Sequence, residues 1–261
     1  MTAVKAAPLD PLILATQFEA AGRKAGFRLE GFGEAGGCPL FALTRRTPGP
    51  RPKIYLSAGI HGDEPAPILA LLSLIGAGEF NDRAVWFICP MLNPVGISRG
   101  TRENDEGTDL NRDYRNPVSP EVRAHARWLG SQPNFDLAIC VHEDWESTGF
   151  YLYELNPDSQ PTLATPMITA VKRVCPIDLS PVIEGREAKG GIIRPLLNPL
   201  EREKWPESIY LQAHHTRLSY TIESPSALPI DQRVAALRAA LTAAISHLYR
   251  GFRSAQTSAR P

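Results

Sequence analysis

The sequence predicts a three-layer α/β/α domain on a mixed, largely parallel sheet, and three observations carry that prediction. Near-continuous apolar runs at 53–60 (KIYLSAGI), 84–92 (AVWFICPML) and 136–142 (DLAICVH) read as central strands covered on both faces. Helical patterns alternate with these runs, as in α/β folds. Chemistry-bearing side chains stand where the runs end, and open α/β sheets gather their ligand groups at the carboxyl edge of the strands.

The elements follow in chain order. Residues 10–25 read as a helix, with Asp10 as cap and Pro11 in the first turn. Residues 27–46 read as two strands around a Gly-rich turn. After the first apolar run, EPAPILALLSLIGAG is a helix; the second run leads into a long polar loop at 93–117. The stretch 119–132 is a helix with Ser119 as N-cap and Pro120 at the first position, and it precedes the third run. Leu218, Tyr220 and Ile222 alternate as in a strand that ends at Glu223. The Ala/Leu-rich stretch 230–252 is a helix expected to stop near Gly251, followed by a flexible tail at 253–261. Residues 1–252 thus form a single domain, a size with room for a substantial core.

Composition narrows the function. Lys+Arg and Asp+Glu both number 28, so net charge is zero and a nucleic-acid-binding surface is not expected. No signal peptide or membrane-length apolar stretch is visible. The 4 cysteines form no CxxC pair, and Cys89 and Cys140 fall in buried strands, so reduced core thiols and a cytoplasmic location are expected.

Three segments carry chemistry. In SAGIHGDEP (57–65), His61 and Glu64 lie three apart directly after a strand, with Asp63 available to cap the next helix. His142 ends another predicted strand, and His61, Glu64 and His142 make a two-His, one-carboxylate zinc set. A strand-end histidine taken alone is more often a hydrogen-bonded structural residue. The loop 93–117 contains Arg99, Arg102, Arg112 and Arg115 but no lysine, which favours a two-point grip on carboxylates over a merely solvated basic loop. Glu223, at the end of its strand, can serve as general base if it faces the same pocket.

In chain order, these pieces resemble the zinc carboxypeptidase superfamily: HxxE at His61–Glu64, NPxG at Asn93–Gly96, TRxN at Thr101–Asn104, DLNR at Asp109–Arg112, the distal His142, and TIESP carrying Glu223. Small bacterial murein peptide amidases look most similar, followed by the aspartoacylase and succinylglutamate desuccinylase branch. The resemblance implies one zinc per chain on His61, Glu64 and His142, with Arg102 polarising the scissile carbonyl. Asn111 and Arg112 would anchor a substrate carboxylate, and Glu223 would act as general base and proton shuttle. Digestive carboxypeptidases follow the distal His with Ser-Tyr, whereas this chain has Glu143-Asp144. Their mobile tyrosine has no secure counterpart among Tyr151, Tyr210 and Tyr220. The implied activity is hydrolysis of an amide next to a terminal carboxylate-bearing residue of a peptide. The alternatives are N-acyl amino acid deacylation and a non-catalytic zinc or peptide-binding module. No membrane partner is expected, and the oligomeric state is left open.

Overall fold

The computed structural model describes residues 8–195 and 198–258. Helix α1 (Pro11–Lys24) starts at Asp10, whose carboxylate accepts the Leu12 and Ile13 N–H groups. Strands β1 (Arg28–Ala35) and β2 (Cys38–Arg45) form the expected hairpin, with a register shift between Gly31 and Gly33. Then come β3 (Lys53–Ser57), α2 (Pro65–Gly76) and β4 (Val85–Cys89). The 93–117 segment is more structured than expected. Asn93 caps a short helix, α3 (Pro94–Arg99), by accepting the Gly96 N–H, and Asp109 caps a 3-10 turn at Leu110–Arg112. Helix α4 (Pro120–Gly130), capped by Ser119, leads to β5 (Leu137–Asp144).

The next stretch holds elements that left little trace in the sequence: β6 (Tyr151–Leu155), α5 (Ala164–Val171), the short strands β7 (Val182–Ile183), β8 (Arg186–Lys189) and β9 (Ile192–Ile193), and α6 (Glu207–His214). Strand β10 (Ser219–Pro225) and helix α7 (Ile230–Ser258) complete the fold. Helix α7 passes through Gly251 and continues to Ser258, so most of the expected flexible tail is helical; residues 259–261 lie outside the described residues. A lone glycine costs about 1 kcal/mol in a helix interior and does not end one without a capping turn, and no proline follows until Pro261.

The sheet is mixed, in the order β1-β2-β4-β3-β5-β10-β6-β9-β8-β7. Parallel pairing is concentrated at its centre, where β4, β3, β5 and β10 run side by side in one direction. Both flanks are mainly antiparallel. One face is covered by α1, α2, α5 and α7 over an apolar core that includes Phe18, Leu56, Leu71, Trp86, Ile139 and Leu241. The other lies under α4 and α6, where Tyr55, Phe87, Trp128, Phe135 and Leu211 pack. All four cysteines are free and buried. Among the described residues no helix is long and apolar enough to cross a membrane.

Candidate metal centre

The site lies at the carboxyl edge of the parallel strands, where three of them deliver polar side chains. Beyond β3, the turn carrying His61 is pressed against α3. A Cβ on Gly62 would stand 1.8 Å from the Gly96 carbonyl carbon, so only glycine fits. The Gly62 N–H donates to the Thr101 carbonyl at 2.9 Å, which fixes the turn. Glu64 occupies the N-cap position of α2 but makes no capping bond, and Asp63, the expected cap, is exposed. The Glu64 carboxylate turns instead to the histidines. Oε1 lies 2.5 Å from His61 Nδ1, Oε2 lies 3.0 Å from His142 Nδ1, and Oε2 also accepts the Glu143 N–H at 3.1 Å.

His142 comes from β5, and its ring centroid is 5.1 Å from that of His61. All three side chains are buried, and one ligand atom from each lies within 4.8 Å of the others. Two imidazoles and one carboxylate converging this closely suit a zinc-type cation, and the electrostatics agree. Burial disfavours charge on His61, yet Glu64 and Asp109 outweigh it and lift its pKa to about 9. For Glu64, burial is outweighed by His61 and His142, which hold it well below the usual carboxylate range. The pocket therefore favours positive charge beside Glu64, as protons or as a cation.

The polar loop closes over this cluster. Asp109 Oδ1 lies 3.3 Å from His61 Nε2, the ring nitrogen turned away from Glu64, and Asp109 Oδ2 accepts Arg102 Nε at 3.0 Å. One carboxylate thus orients both an imidazole and a guanidinium. Arg102 Nη1 reaches within 3.8 Å of Glu64 Oε1, which puts Arg102 at the cluster. Asn111 is buried, and its Oδ1 accepts the Glu207 N–H at the start of α6 at 2.9 Å. Arg112 is exposed, with Nη1 donating to the Asn111 carbonyl at 2.7 Å. The other loop arginines point elsewhere: Arg99 pairs with Asp105, and Arg115 donates to the Arg202 carbonyl and lies over Trp205.

Glu223 is the parallel neighbour of His142 on β10 and the antiparallel neighbour of Tyr151 on β6. Its carboxylate makes no side-chain hydrogen bond among the described residues. Burial pushes its pKa well up against the pull of His142, and Glu64, Glu184 and Asp144 add to the rise. Of the three candidate tyrosines, Tyr220 faces the opposite side of the sheet, where its hydroxyl donates to Glu154. Tyr210 packs on Tyr114 and His214. Tyr151 shares the face of Glu223, and its hydroxyl donates to Asp144 at 3.0 Å.

Sequence reasoning passed over Asp109 and Glu207. Asp109 lies inside the DLNR motif, but nothing in the spacing says that it reaches an imidazole 48 residues away. Glu207 opens α6 beneath the site and accepts hydrogen bonds from Tyr55 at 2.6 Å and Ser57 at 2.8 Å.

Residues 50–179 match the family model of the succinylglutamate desuccinylase/aspartoacylase catalytic domain. No curated protein matches the chain in sequence. Among solved structures, a "putative metallopeptidase" from Shewanella amazonensis shares 25% identity over 90% of this chain and 92% of its own, with a TM-score of 0.80. A metallo-carboxypeptidase from Burkholderia cenocepacia shares 22% identity over 90% of this chain and 68% of its own, at a TM-score of 0.66. A metallo-carboxypeptidase from Pseudomonas aeruginosa, solved with (2-guanidinoethylmercapto)succinic acid, gives 20%, 90%, 68% and 0.67 on the same measures.

Proposed function

We propose that this chain, a relative of the metallocarboxypeptidases, is a zinc-dependent hydrolase that cleaves an amide bond next to a carboxylate-bearing residue. The observation that carries this reading is the convergence of His61 Nδ1 and His142 Nδ1 on the two oxygens of Glu64, with Glu223 on the adjacent strand. A zinc ion held by these three residues supplies Lewis acidity, polarising the carbonyl and bringing the pKa of a water to about 7.

The remaining work falls to the chain itself. Glu223 accepts a proton from the attacking water and passes it to the leaving amine. Burial favours its protonated form, the form that delivers the proton to the leaving amine. Arg102, aimed by Asp109, offers a guanidinium to the charge that grows on the carbonyl oxygen, where a preorganised donor contributes roughly 3–4 kcal/mol. Arg112 grips the substrate carboxylate and so sets which bond meets the water. Asn111 has its Oδ1 engaged by α6, which leaves its amide N–H groups to assist.

A second reading, deacylation of an N-acyl amino acid, is favoured by the match to the succinylglutamate desuccinylase/aspartoacylase domain. Both readings use the same metal and carboxylate anchor and differ in whether the pocket admits a peptide. The test is a turnover screen of zinc-loaded protein against free-C-terminus peptides, γ-D-glutamyl-diaminopimelate peptides and N-acyl amino acids, each paired with its carboxylate-amidated form. Cleavage of one class, lost on amidation, supports the reading and chooses between its forms. No turnover in any class leaves a metal- or peptide-binding module instead.

A further inference from the structure

Directly behind the metal cluster, on the other side of β5, lies a buried ion pair that the proposed chemistry does not use. The Glu143 side chain is 0% exposed and that of Arg233 is 8% exposed. Arg233 Nη1, from the first turn of α7, donates to Glu143 Oε1 at 2.9 Å. Glu143 Oε2 accepts the Ala66 N–H at the start of α2 at 3.3 Å. The Ser224 hydroxyl lies 3.5 Å from Oε1, and Ser224 is the register partner of Glu143. The Glu143 backbone N–H, in turn, donates to Glu64 Oε2 at 3.1 Å.

These contacts have a common pattern. Glu143 follows His142, Ala66 lies two residues beyond Glu64, and Ser224 follows Glu223. One buried carboxylate, itself next to His142, therefore contacts a residue two beyond Glu64, the residue after Glu223, and Arg233 of α7. The segments at 64–66 and 143 also exchange hydrogen bonds in both directions, which fixes their separation. A buried ion pair is a poor way to gain stability, because desolvation offsets much of the attraction and an apolar pair of equal volume often does as well. An apolar pair cannot accept the Ala66 N–H or tie β5 to α2 and β10. Arg233 Nε is buried without a hydrogen-bond partner, so the guanidinium is held chiefly by its contact with Glu143.

We infer that Glu143 and Arg233 are positioning residues, a latch anchored on α7 that holds Glu64 and His142 at the separation a metal ion requires. The inference rests on the proposed metal site, and the test separates the two. Zinc affinity is measured by chelator competition, alongside thermal melting without metal, for wild type, His142→Ala, Glu143→Gln, Arg233→Lys and the double variant Glu143→Gln/Arg233→Met. Wild type is expected to bind about one zinc and His142→Ala to lose it; a wild type that binds none overturns the metal site, and the latch with it.

The Ala66 N–H and Arg233 approach different oxygens of Glu143, so glutamine in its place turns an NH2 group toward one of these donors, and it leaves a buried cation facing the site. Glu143→Gln should therefore weaken zinc binding about 10–100-fold, the range seen when groups orienting metal ligands are lost. The double variant removes the stranded cation and frees the glutamine oxygen for Ala66, so it should recover most of the affinity. A merely structural role would lower the melting temperature and leave zinc affinity unchanged, and that result overturns the inference. A double variant as weak as Glu143→Gln would remove Arg233 from the latch. If Glu143→Gln does not fold, Arg233→Lys decides. It keeps the charge and loses the guanidinium reach, so it should weaken zinc binding several-fold, and wild-type affinity would overturn the inference.

Discussion

Glu64 and Asp109 face each other across the His61 ring and hold its two nitrogens from opposite sides. That arrangement fixes which nitrogen is offered to a metal, and losing such a partner costs about 10–100-fold in affinity. Asp109→Asn should therefore weaken zinc binding by that factor, read by chelator competition; an unchanged constant would show that His61 keeps its orientation without Asp109. Glu223→Gln tests a different role. Glutamine keeps the shape but cannot take a proton, so zinc content should stay at wild-type level while turnover falls about 10²–10⁴-fold. Near-normal turnover would assign the proton transfer to another group. The residues that converge at the cluster were legible from sequence where a motif and a strand end coincided, as at His61, Glu64 and His142, and Glu223 stands beside His142 on the next strand. Asp109 was quoted only as part of a motif, because its contact with His61 depends on how the loop folds back. Asn111 and Arg112 were legible as a pair, but the engagement of the Asn111 oxygen by α6 was not, because α6 itself left little sequence signal.

Among the elements, the turn from β3 into α2 and the helix α3 are built around one close approach. Gly62 meets the backbone of Gly96 at a distance no side chain can share. Gly62→Ala should destabilise the protein by about 3 kcal/mol in denaturant unfolding, the upper part of the usual overpacking range. It should also weaken zinc binding, since the turn carries His61 and Glu64. Gly76→Ala is the matched control. Its Cβ meets nothing within 4 Å at the end of α2, so stability should hold or rise slightly. Equal effects at the two positions would mean that the approach of α3 is softer than the packing indicates. The long strands and capped helices were readable because their signals are local: apolar runs for β3, β4 and β5, Asp10 for α1, Ser119 and Pro120 for α4. Helix α3 was read as loop because six residues give too short a period, and its stabilising Asn93 cap looks like any turn asparagine. Strands β7 and β9 have two residues each and exist through their neighbours rather than through a pattern of their own.

Across the whole molecule, the two faces of the sheet are held in different ways. The face under α1, α2, α5 and α7 is mostly apolar, whereas the face that carries the site contains a buried chain of hydrogen bonds. Tyr114 OH lies 2.7 Å from His125 Nδ1, His125 Nε2 lies 3.0 Å from Tyr55 OH, and Tyr55 OH donates to Glu207. One proton arrangement satisfies all of them: Tyr114 donates to Nδ1, a neutral His125 donates from Nε2 to Tyr55, and Tyr55 donates to Glu207. The chain links β3, α4, α6 and the loop that carries Arg112, so the packing of this face of the sheet depends on a neutral histidine. Its character was hidden in the sequence, where Tyr55 and His125 sit within apolar and helical patterns that explain them as packing. Burial, reinforced by His215, lowers the His125 pKa to about 3. An unfolded chain has a histidine pKa of about 6.5, so between those values the unfolded state binds more protons and acidification favours unfolding. From pH 7.5 to 5.0 this one group should remove about 2 kcal/mol of stability. His125→Phe should be less stable than wild type at pH 7.5, because two buried hydroxyls lose a partner. Its stability should nevertheless fall by about 2 kcal/mol less than that of wild type between the two pH values. Urea unfolding of both proteins with chelator present makes the comparison, and taking the difference between variants cancels the titration of His61 and His142. A variant as acid-sensitive as wild type would place the sensitivity elsewhere and mean that the His125 chain tolerates charge.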